Sequence, residues 1–592
     1  WRAGDLPWLV PTSYTFNNAA KTLTIEPGAV VKMGQLGNQR GQGSLTLERG
    51  NLVVGGADMN KPVLVTSVRD DACAANDTTG GCDTNGDGGG SQPQSGDWTW
   101  LHIDDRATSF RMQHAQVRYG GGSGARYGMI EIDHTNSVVS DSLISHSLIS
   151  GIAINGVQPR IERNTLRANG KSAIRIIGAD REIRVPIHGN GIYDNNGGAI
   201  EIDANVEVDL SGNSTQMPPG YTPNGAFRQL NGILISGNAQ SSTTWRRSTD
   251  MPFIINTRVD VMNQAVLTIE PGVILKFTPL GSISTSRGTL VAVGRPDAKI
   301  VFTSVADSTV GGVSVDGSGP PGNRDWGGLE FTRPGTVRSG TLEHVELRHA
   351  RGGNPPAAVR VQQDNVRIVN VTISDGANAG IYIDDADGVS VTETTLERIG
   401  GAAVLARTVT NLTATVKNNT IRNCGIAVSA DANAQMEIGD NTVTDNRING
   451  ILIAGTVKTK RTWYADDMIY VTDEVSTDKG LTLRTGALMI EGTAERPIVF
   501  TSIRDDRCSA TVLTGCDTDS LDQDVEPGDW KGILVGAGTN NSVVLSHVLL
   551  LYGGQGPAAF ESSANSTKIE SSEIAWSNSN GIPLNNVRTM VV

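Results

Sequence analysis

Leu267-Thr268-Ile269-Glu270-Pro271-Gly272-Val273-Ile274-Leu275-Lys276-Phe277 sets the architecture of this chain, and a near copy stands at Leu23-Thr24-Ile25-Glu26-Pro27-Gly28-Ala29-Val30-Val31-Lys32-Met33. Leu267 and Ile269 face one way, Thr268 and Glu270 the other. Beyond Pro271-Gly272, Val273, Leu275 and Phe277 face inward again and Lys276 is expected to point out. Alternation at period two marks a strand with one buried face. Proline fixes φ and glycine accepts positive φ, so the pair turns a tight corner. Strand, corner, strand with both apolar faces inward is one side and one bend of a coil. A lone coil leaves apolar surface above and below, so copies must stack, and the stack is a β-solenoid.

The rest of the chain repeats around this rung. Trp1-Arg2-Ala3-Gly4-Asp5-Leu6-Pro7, Trp245-Arg246-Arg247-Ser248-Thr249-Asp250-Met251-Pro252 and Trp463-Tyr464-Ala465-Asp466-Asp467-Met468 are three versions of one opening. They divide the chain into modules 1–244, 245–462 and 463–592, the last incomplete. Each module carries a Thr-Ser landmark, at Thr66-Ser67, Thr303-Ser304 and Thr501-Ser502, where the chain leaves the coil. It returns at Asp97-Trp98, Asp325-Trp326 and Asp529-Trp530 after Gly-, Pro- and Asp-rich excursions of unequal length, which reads as loops hung on a rigid coil. A His-centred strand follows, around His114, His344 and His547. Shorter rungs then carry asparagine at their corners (Asn164, Asn418-Asn419, Asn441), where asparagine accepts left-handed geometry and its amide can stack on the next rung.

The chain has 592 residues, 70 of them glycine, with 5% aromatics, which suits a fold that grows in one dimension. A net charge of -13 argues against nucleic acid as a partner, and no apolar run is long enough to span a membrane. Cys73 with Cys82, and Cys508 with Cys516, form two local pairs in matching loops. Two disulfides and an oxidising compartment are expected, since these spacings are not those of zinc sites. Cys424 is left over, and a buried inert thiol is expected.

These repeats resemble the right-handed parallel β-helix family, the pectate-lyase-like superfold. Within it, the Leu-Thr-Ile-Glu-Pro-Gly-Val rung and the Thr-Ser…Gly-Asp-Trp loop are similar to those of multi-module bacterial surface proteins. The resemblance implies an all-β, right-handed parallel β-helix of three consecutive modules, with three parallel sheets. About 22 rungs at ~4.8 Å would make a rod on the order of 100 Å long. It also implies a secreted, cell-surface location and a non-catalytic structural or adhesive role, or a place in an extracellular filament.

Many members of the superfold cleave acidic polysaccharides, so a lyase or glycoside hydrolase is a rival reading, and a carbohydrate-binding surface protein is another. Of the pectate-lyase Arg-x-Pro-x-x-Arg pattern, Arg184-Val185-Pro186-Ile187-His188-Gly189 keeps only the first half. Of the polygalacturonase motifs, Asp384-Asp385 and His188-Gly189 occur in the wrong order, without Asn-Thr-Asp or Arg-Ile-Lys. Glu131, Asp133 and His134, or Asp104 and Asp105, are the carboxyl groupings that glycoside cleavage would need. His114, His344 and His547 recur without catalytic partners and are expected to make one shared corner hydrogen bond. Trp98, Trp326 and Trp530 are expected to seal the loop bases rather than stack on sugars. Asp83, Asn85 and Asp87, followed by Gly88, resemble the first half of a calcium loop, and Asp517 and Asp519 make a comparable acidic loop, so structural calcium is expected. The strand-like Thr589-Met590-Val591-Val592 carries no polar cap, so end-to-end self-association is expected.

Overall fold

The computed structural model describes the chain except residues 5, 36–39, 76, 78–80, 179–182, 316–318, 324, 333–339, 353–355, 409–411, 455, 458–460, 465–467, 473–480, 484–486, 496, 503, 507–523, 536–541, 583–588 and 592. Every regular element among the described residues is a β-strand, and neighbouring rungs pair in parallel. The corner expected at Pro-Gly is present twice: Ala29 N–H donates to Glu26 O at 3.1 Å and Val273 N–H to Glu270 O at 3.3 Å. Gly28 and Gly272 hold φ of 83° and 78°, which a side chain would strain.

The chain forms two compact units, Trp1–Thr278 with Val305–Pro320, and Pro279–Ser304 with Pro321–Val592. In the first unit one ladder runs through Trp8–Val10, Val30–Met33, Val63–Ser67, Ala115–Arg118, Leu143–Ser145, Thr165–Arg167 and Gly191–Tyr193. A second ladder runs through Leu101–Ile103, Gly128–Ile132, Ser150–Asn155, Ile174–Ile177, Gly198–Asp203 and Leu230–Ser236. That second ladder continues into Phe253–Ile255 and Ile274–Phe277. Their counterparts in the first module, Trp8–Val10 and Val30–Met33, belong to the first ladder, so the second module starts one face further round. The second unit repeats the move: the ladder of Ile426–Asp431 and Ile448–Ala454 passes to Ile469–Thr472 and Ile498–Phe500. The coil makes about 19 turns rather than about 22. The described residues of the excursions and of 215–228 lie outside the coil and lengthen the chain without adding rungs.

Inside the second ladder, Ile130, Ile152, Ile174, Ile200 and Ile233 stack rung on rung with no exposure. Close packing of identical neighbours is the main source of stability in such a stack. At the corners asparagine amides stack from rung to rung as expected and Asn418 takes the left-handed geometry with φ of 56°, but Asn164 does not. In the longest ladder it is the preceding residue that adopts left-handed geometry: Asp141, Arg163, Gly189 and Gly212 have φ of 51°, 54°, 67° and 69°. The residue after each turns inward. Ser142 N–H donates to Asn164 Oδ1 at 3.1 Å, Asn164 N–H to Asn190 Oδ1 at 2.9 Å, and Asn190 N–H to Asn213 Oδ1 at 3.0 Å. Asp250 of the next module ends the run, accepting from Asn213 N–H at 2.9 Å. Each buried amide thus satisfies the backbone of its neighbour.

Cys424 occupies such an inward position. Its N–H donates to Asn446 Oδ1 at 2.8 Å, its thiol lies 3.6 Å from Leu396 O, and burial pushes the thiol pKa up to about 11. It is free and inert, as expected. Asparagine at this position would restore the amide bonds of the ladder, so Cys424→Asn should stabilise the second unit by about 1 kcal/mol. Asn190→Ala, which orphans several buried groups, should cost about 2 to 3 kcal/mol. Denaturant unfolding of the two variants checks both signs.

Candidate functional site

The first excursion lies over the outer side of strands Val30–Met33 and Val63–Ser67, where Ala72 and Ala75 pack with Val30 and Leu64. Beneath it sits Lys32, which does point outward but has 0% exposure. Its Nζ donates to the carbonyl of Asp70 and, at 3.2 Å, to that of Cys82. Lys276, also fully buried, donates to Asp307 O at 2.7 Å and Gly312 O at 2.5 Å. Lys276 thus points out as expected, and both lysines are covered from above. The stem packs on the sheet while the ammonium takes carbonyls of the flap above it. Burial lowers the pKa of both lysines, that of Lys276 to about 8.

The root of the flap is clasped by the landmark residues. Ser67 Oγ donates to Asp97 Oδ2 at 2.8 Å, and Arg40 and Arg69 reach Asp97 Oδ1 at 2.9 and 3.4 Å. The third module repeats the clasp with Ser502 Oγ to Asp529 Oδ2 at 2.7 Å and Arg504 to Asp529 Oδ1 at 3.1 Å. Ala306 stands where Arg69 and Arg504 stand, so the second module has no such ion pair. Trp98, Trp326 and Trp530 donate from Nε1 to Arg118 O, Arg348 O and Leu551 O at 2.8, 2.7 and 2.8 Å. With exposures of 0%, 0% and 3% they offer no ring face to a sugar.

His114, His344 and His547 share a left-handed corner, with φ of 50°, 49° and 52°. Their carbonyls accept from Val63, Ile300 and Ile498 N–H at 3.0, 3.2 and 3.0 Å. The bond they share is therefore a backbone one. The rings differ: His114 Nδ1 lies 2.7 Å from Gly56 O, His547 Nδ1 3.1 Å from Ser546 Oγ.

Cys73 and Cys82 are joined by a disulfide with Cα atoms 5.1 Å apart. In the turn that follows, Asp83 accepts from Gly86 and Gly88 N–H at 2.7 Å each, and Asp87 from Gly89 and Gly90 N–H at 3.0 Å each. Asn85 Nδ2 donates to Asp87 Oδ2 at 2.8 Å. Among the described residues no three His, Cys, Asp or Glu side chains converge as a metal set. Two buried oxygens of this region lack partners, Asp71 Oδ1 and Asn85 Oδ1. Burial, then the neighbouring Asp83, raises the Asp71 carboxyl above the usual range. Cys508, Cys516, Asp517 and Asp519 lie outside the described residues.

The carboxyl groupings picked out for glycoside cleavage fall on the outer face of the second ladder. There the inward residues are Leu101, Ile103, Ile130 and Ile132, and alternation turns His102 and Glu131 outward, paired in register. His102 Nε2 lies 3.0 Å from Asp133 Oδ2, and Asn155 Nδ2 donates to Asp133 Oδ1. Glu131, with 0% exposure, accepts on Oε1 from Arg126 and Tyr127 N–H at 2.8 Å each. Four atoms of this patch are buried without a hydrogen-bond partner: Trp100 Nε1, Glu131 Oε2, His134 Nδ1 and Asn155 Oδ1.

Glycoside cleavage needs one carboxyl raised to act as an acid. Hydrogen bonds from Arg106 instead hold Asp104 well below the carboxylate range. Burial works to raise Asp133, but the bonds from His102 and Asn155 outweigh it and the pKa falls. Elsewhere, Asp384 Oδ2 is taken by Arg360 Nη2 at 2.6 Å, while Asp385 is a corner residue with φ 56°. His188 lies 3.8 Å from Asp209. Lys32, Lys276, Trp100, His102 and Asn155 had no part in the sequence reading of the site. The recurrence of a lysine at one place after Glu-Pro-Gly was the available signal for the first two. Lys276→Met keeps the stem and removes the donor, so amides of 305–313 should exchange roughly tenfold faster while the Asn419–Asn441 ladder does not change, by hydrogen-exchange mass spectrometry.

Residues 303–461 match the family described as "Right handed beta helix region". A stretch of 94 residues is 34% identical to the Drosophila melanogaster protein named "Protein bark beetle", which is 16% of this chain and 3% of that protein. The chain thus spans a small fraction of that relative's length. Parallel strands wound into about 19 turns, with the family match across the middle of them, make this chain a right-handed parallel β-helix repeat protein.

Proposed function

We propose that the chain is a secreted, non-catalytic structural or adhesive β-solenoid of a cell surface or extracellular filament. The observation that carries this reading is where the recurring residues are used. The tryptophans bond the root of the flap, the His carbonyls bond the next strand, and the lysines hold flap carbonyls. What is copied between modules is the frame, and no acid–base pair is copied with it. The test is incubation with polygalacturonate and with neutral glucans, reading unsaturated or reducing ends. No product is expected, and turnover abolished by Asp133→Asn would overturn the reading.

A second reading, carbohydrate contact without cleavage, is favoured by the outer face around Glu131. Tyr127, 36% exposed with the Arg175 guanidinium 5.3 Å over its ring, and Asp133, with its side chain 21% exposed, are groups of that face that a polyhydroxyl ligand can reach. Calorimetry with neutral and acidic oligosaccharides should show binding that weakens at least tenfold in Tyr127→Ala, and equal affinity in both proteins would overturn carbohydrate contact at this face.

Calcium is the cation that the oxygen-rich turn at Asp83, Asn85 and Asp87 would take, with Asp71 Oδ1 as a further ligand. Millimolar calcium should raise the melting temperature, and Asp83→Ala with Asp87→Ala should abolish the rise. End-to-end association would use the exposed edge of strand Ser13–Ile25, where Tyr14 is 39% exposed beside Trp8 at 42%. Sedimentation over a hundredfold concentration range reads it out.

A further inference from the structure

We infer that the Cys73–Cys82 disulfide is a reducible latch that holds the first flap down over the sheet. The two lysine-held flaps supply the comparison. In the second module Lys276 grips carbonyls of Asp307 and Gly312, close together in sequence, and no cysteine is involved. In the first, Lys32 grips Asp70 and Cys82, at the two ends of a longer arc. The disulfide, which joins residues nine apart, closes that arc and brings the carbonyl of Cys82 to the ammonium. Cys82 N–H donates to Asp71 O at 2.8 Å, which completes the return.

The near end of the arc is secured without the disulfide. Asp70 Oδ2 takes Thr66 Oγ1 and, at 2.8 Å, Arg118 Nε. The far end is secured where Gln94 N–H donates to Asp97 Oδ2 at 2.9 Å. Between them, Cys82 and the Asp83–Ser91 turn are held by the sulfur link, by Lys32 and by the Cys82 N–H bond to Asp71 O. Opening the link therefore frees the middle of the flap and leaves both roots in place.

The chemistry suits reduction by a thiol. Cys73 is exposed and Cys82 half-buried. A thiolate of the reductant attacks Cys73 Sγ, the sulfur–sulfur bond breaks, and Cys82 leaves as a thiolate. Cys82 is the residue whose carbonyl rests on the Lys32 ammonium, and a nearby cation makes a cysteine a better leaving group. The second thiol of the reductant then attacks the reductant sulfur of the mixed disulfide, and Cys73 leaves as a thiolate. Two electrons and two protons pass to the protein, leaving two free thiols, and the reductant ends as a disulfide.

The test is hydrogen-exchange mass spectrometry of the whole chain with and without dithiothreitol, with peptide mapping of the new thiols. Residues 82–91 should exchange at least tenfold faster once Cys73 and Cys82 are reduced. The second flap, 305–313, and strand Ile174–Ile177 should not change. The variant Cys73→Ser with Cys82→Ser should show the same local rise without reductant. Unchanged exchange at 82–91 after full reduction overturns the latch, because lysine and clasp then suffice. A rise across the whole chain also overturns it, because the disulfide would then support the solenoid rather than the flap. A disulfide that resists millimolar dithiothreitol overturns its reducibility.

Discussion

Each rung of this protein buries its apolar side chains only against the rungs on either side. An isoleucine facing in at Ile152 has Ile130 on one side and Ile174 on the other, spaced by the parallel hydrogen-bond ladder. Any insertion inside the coil would break that match on both sides, so variation is driven to the corners and outward. The same constraint governs polar groups that turn in. A buried amide at a corner donates to a carbonyl of the rung before it and takes its other bonds from the amide of the rung after it, which is why Asn164, Asn190 and Asn213 occur in series and why the series needs a terminal acceptor, Asp250. An isolated asparagine there would leave buried donors unpaired at a cost of about 1 to 3 kcal/mol each.

Period-two alternation and recurring landmarks were enough to read the coil from the sequence, because both follow from one short-range rule. The disulfide at Cys73 and Cys82 and the sealing role of Trp98 were readable for the same reason: their partners are local or repeat with them. The covering of Lys276 was not readable. Alternation correctly turned it outward, but periodicity carries no information about a loop folded back over the outer face. The His102–Asp133–Asn155 group escaped as well. Its members lie on three rungs separated by loops of irregular length, so only register brings them together.

The buried lysines show how the coil holds an excursion. A flap has no ladder to join, and its carbonyls over a sheet face would be left without donors. A lysine with its stem along the strand supplies three donors from below at the cost of desolvating one charge. The lowered pKa of Lys276 records that cost, and short bonds to Asp307 and Gly312 offset it. Methionine in its place would remove the cost and the grip together. The first module adds a covalent link where its arc is longer, which is the ordinary response to a larger closure entropy.

The shift of one face at the module boundary has a consequence for the polar face around Glu131. Because the ladder that carries His102, Glu131, Arg175 and Glu201 continues into Ile254 and Lys276, the second flap is built on the same face further along. Asn231 N–H donates to Ser314 O at 2.9 Å, fastening that flap to the last strand of the first module. The open part of the face therefore ends at a wall. From Leu101–Ile103 to Leu230–Ser236 it is a run of parallel strands ~4.8 Å apart, on the order of 25 Å long. Had the modules stacked without the shift, each flap would stand above the last and every polar face would run on without an end. With the shift, the second flap bounds the face before it, and that face becomes a bounded surface of fixed length.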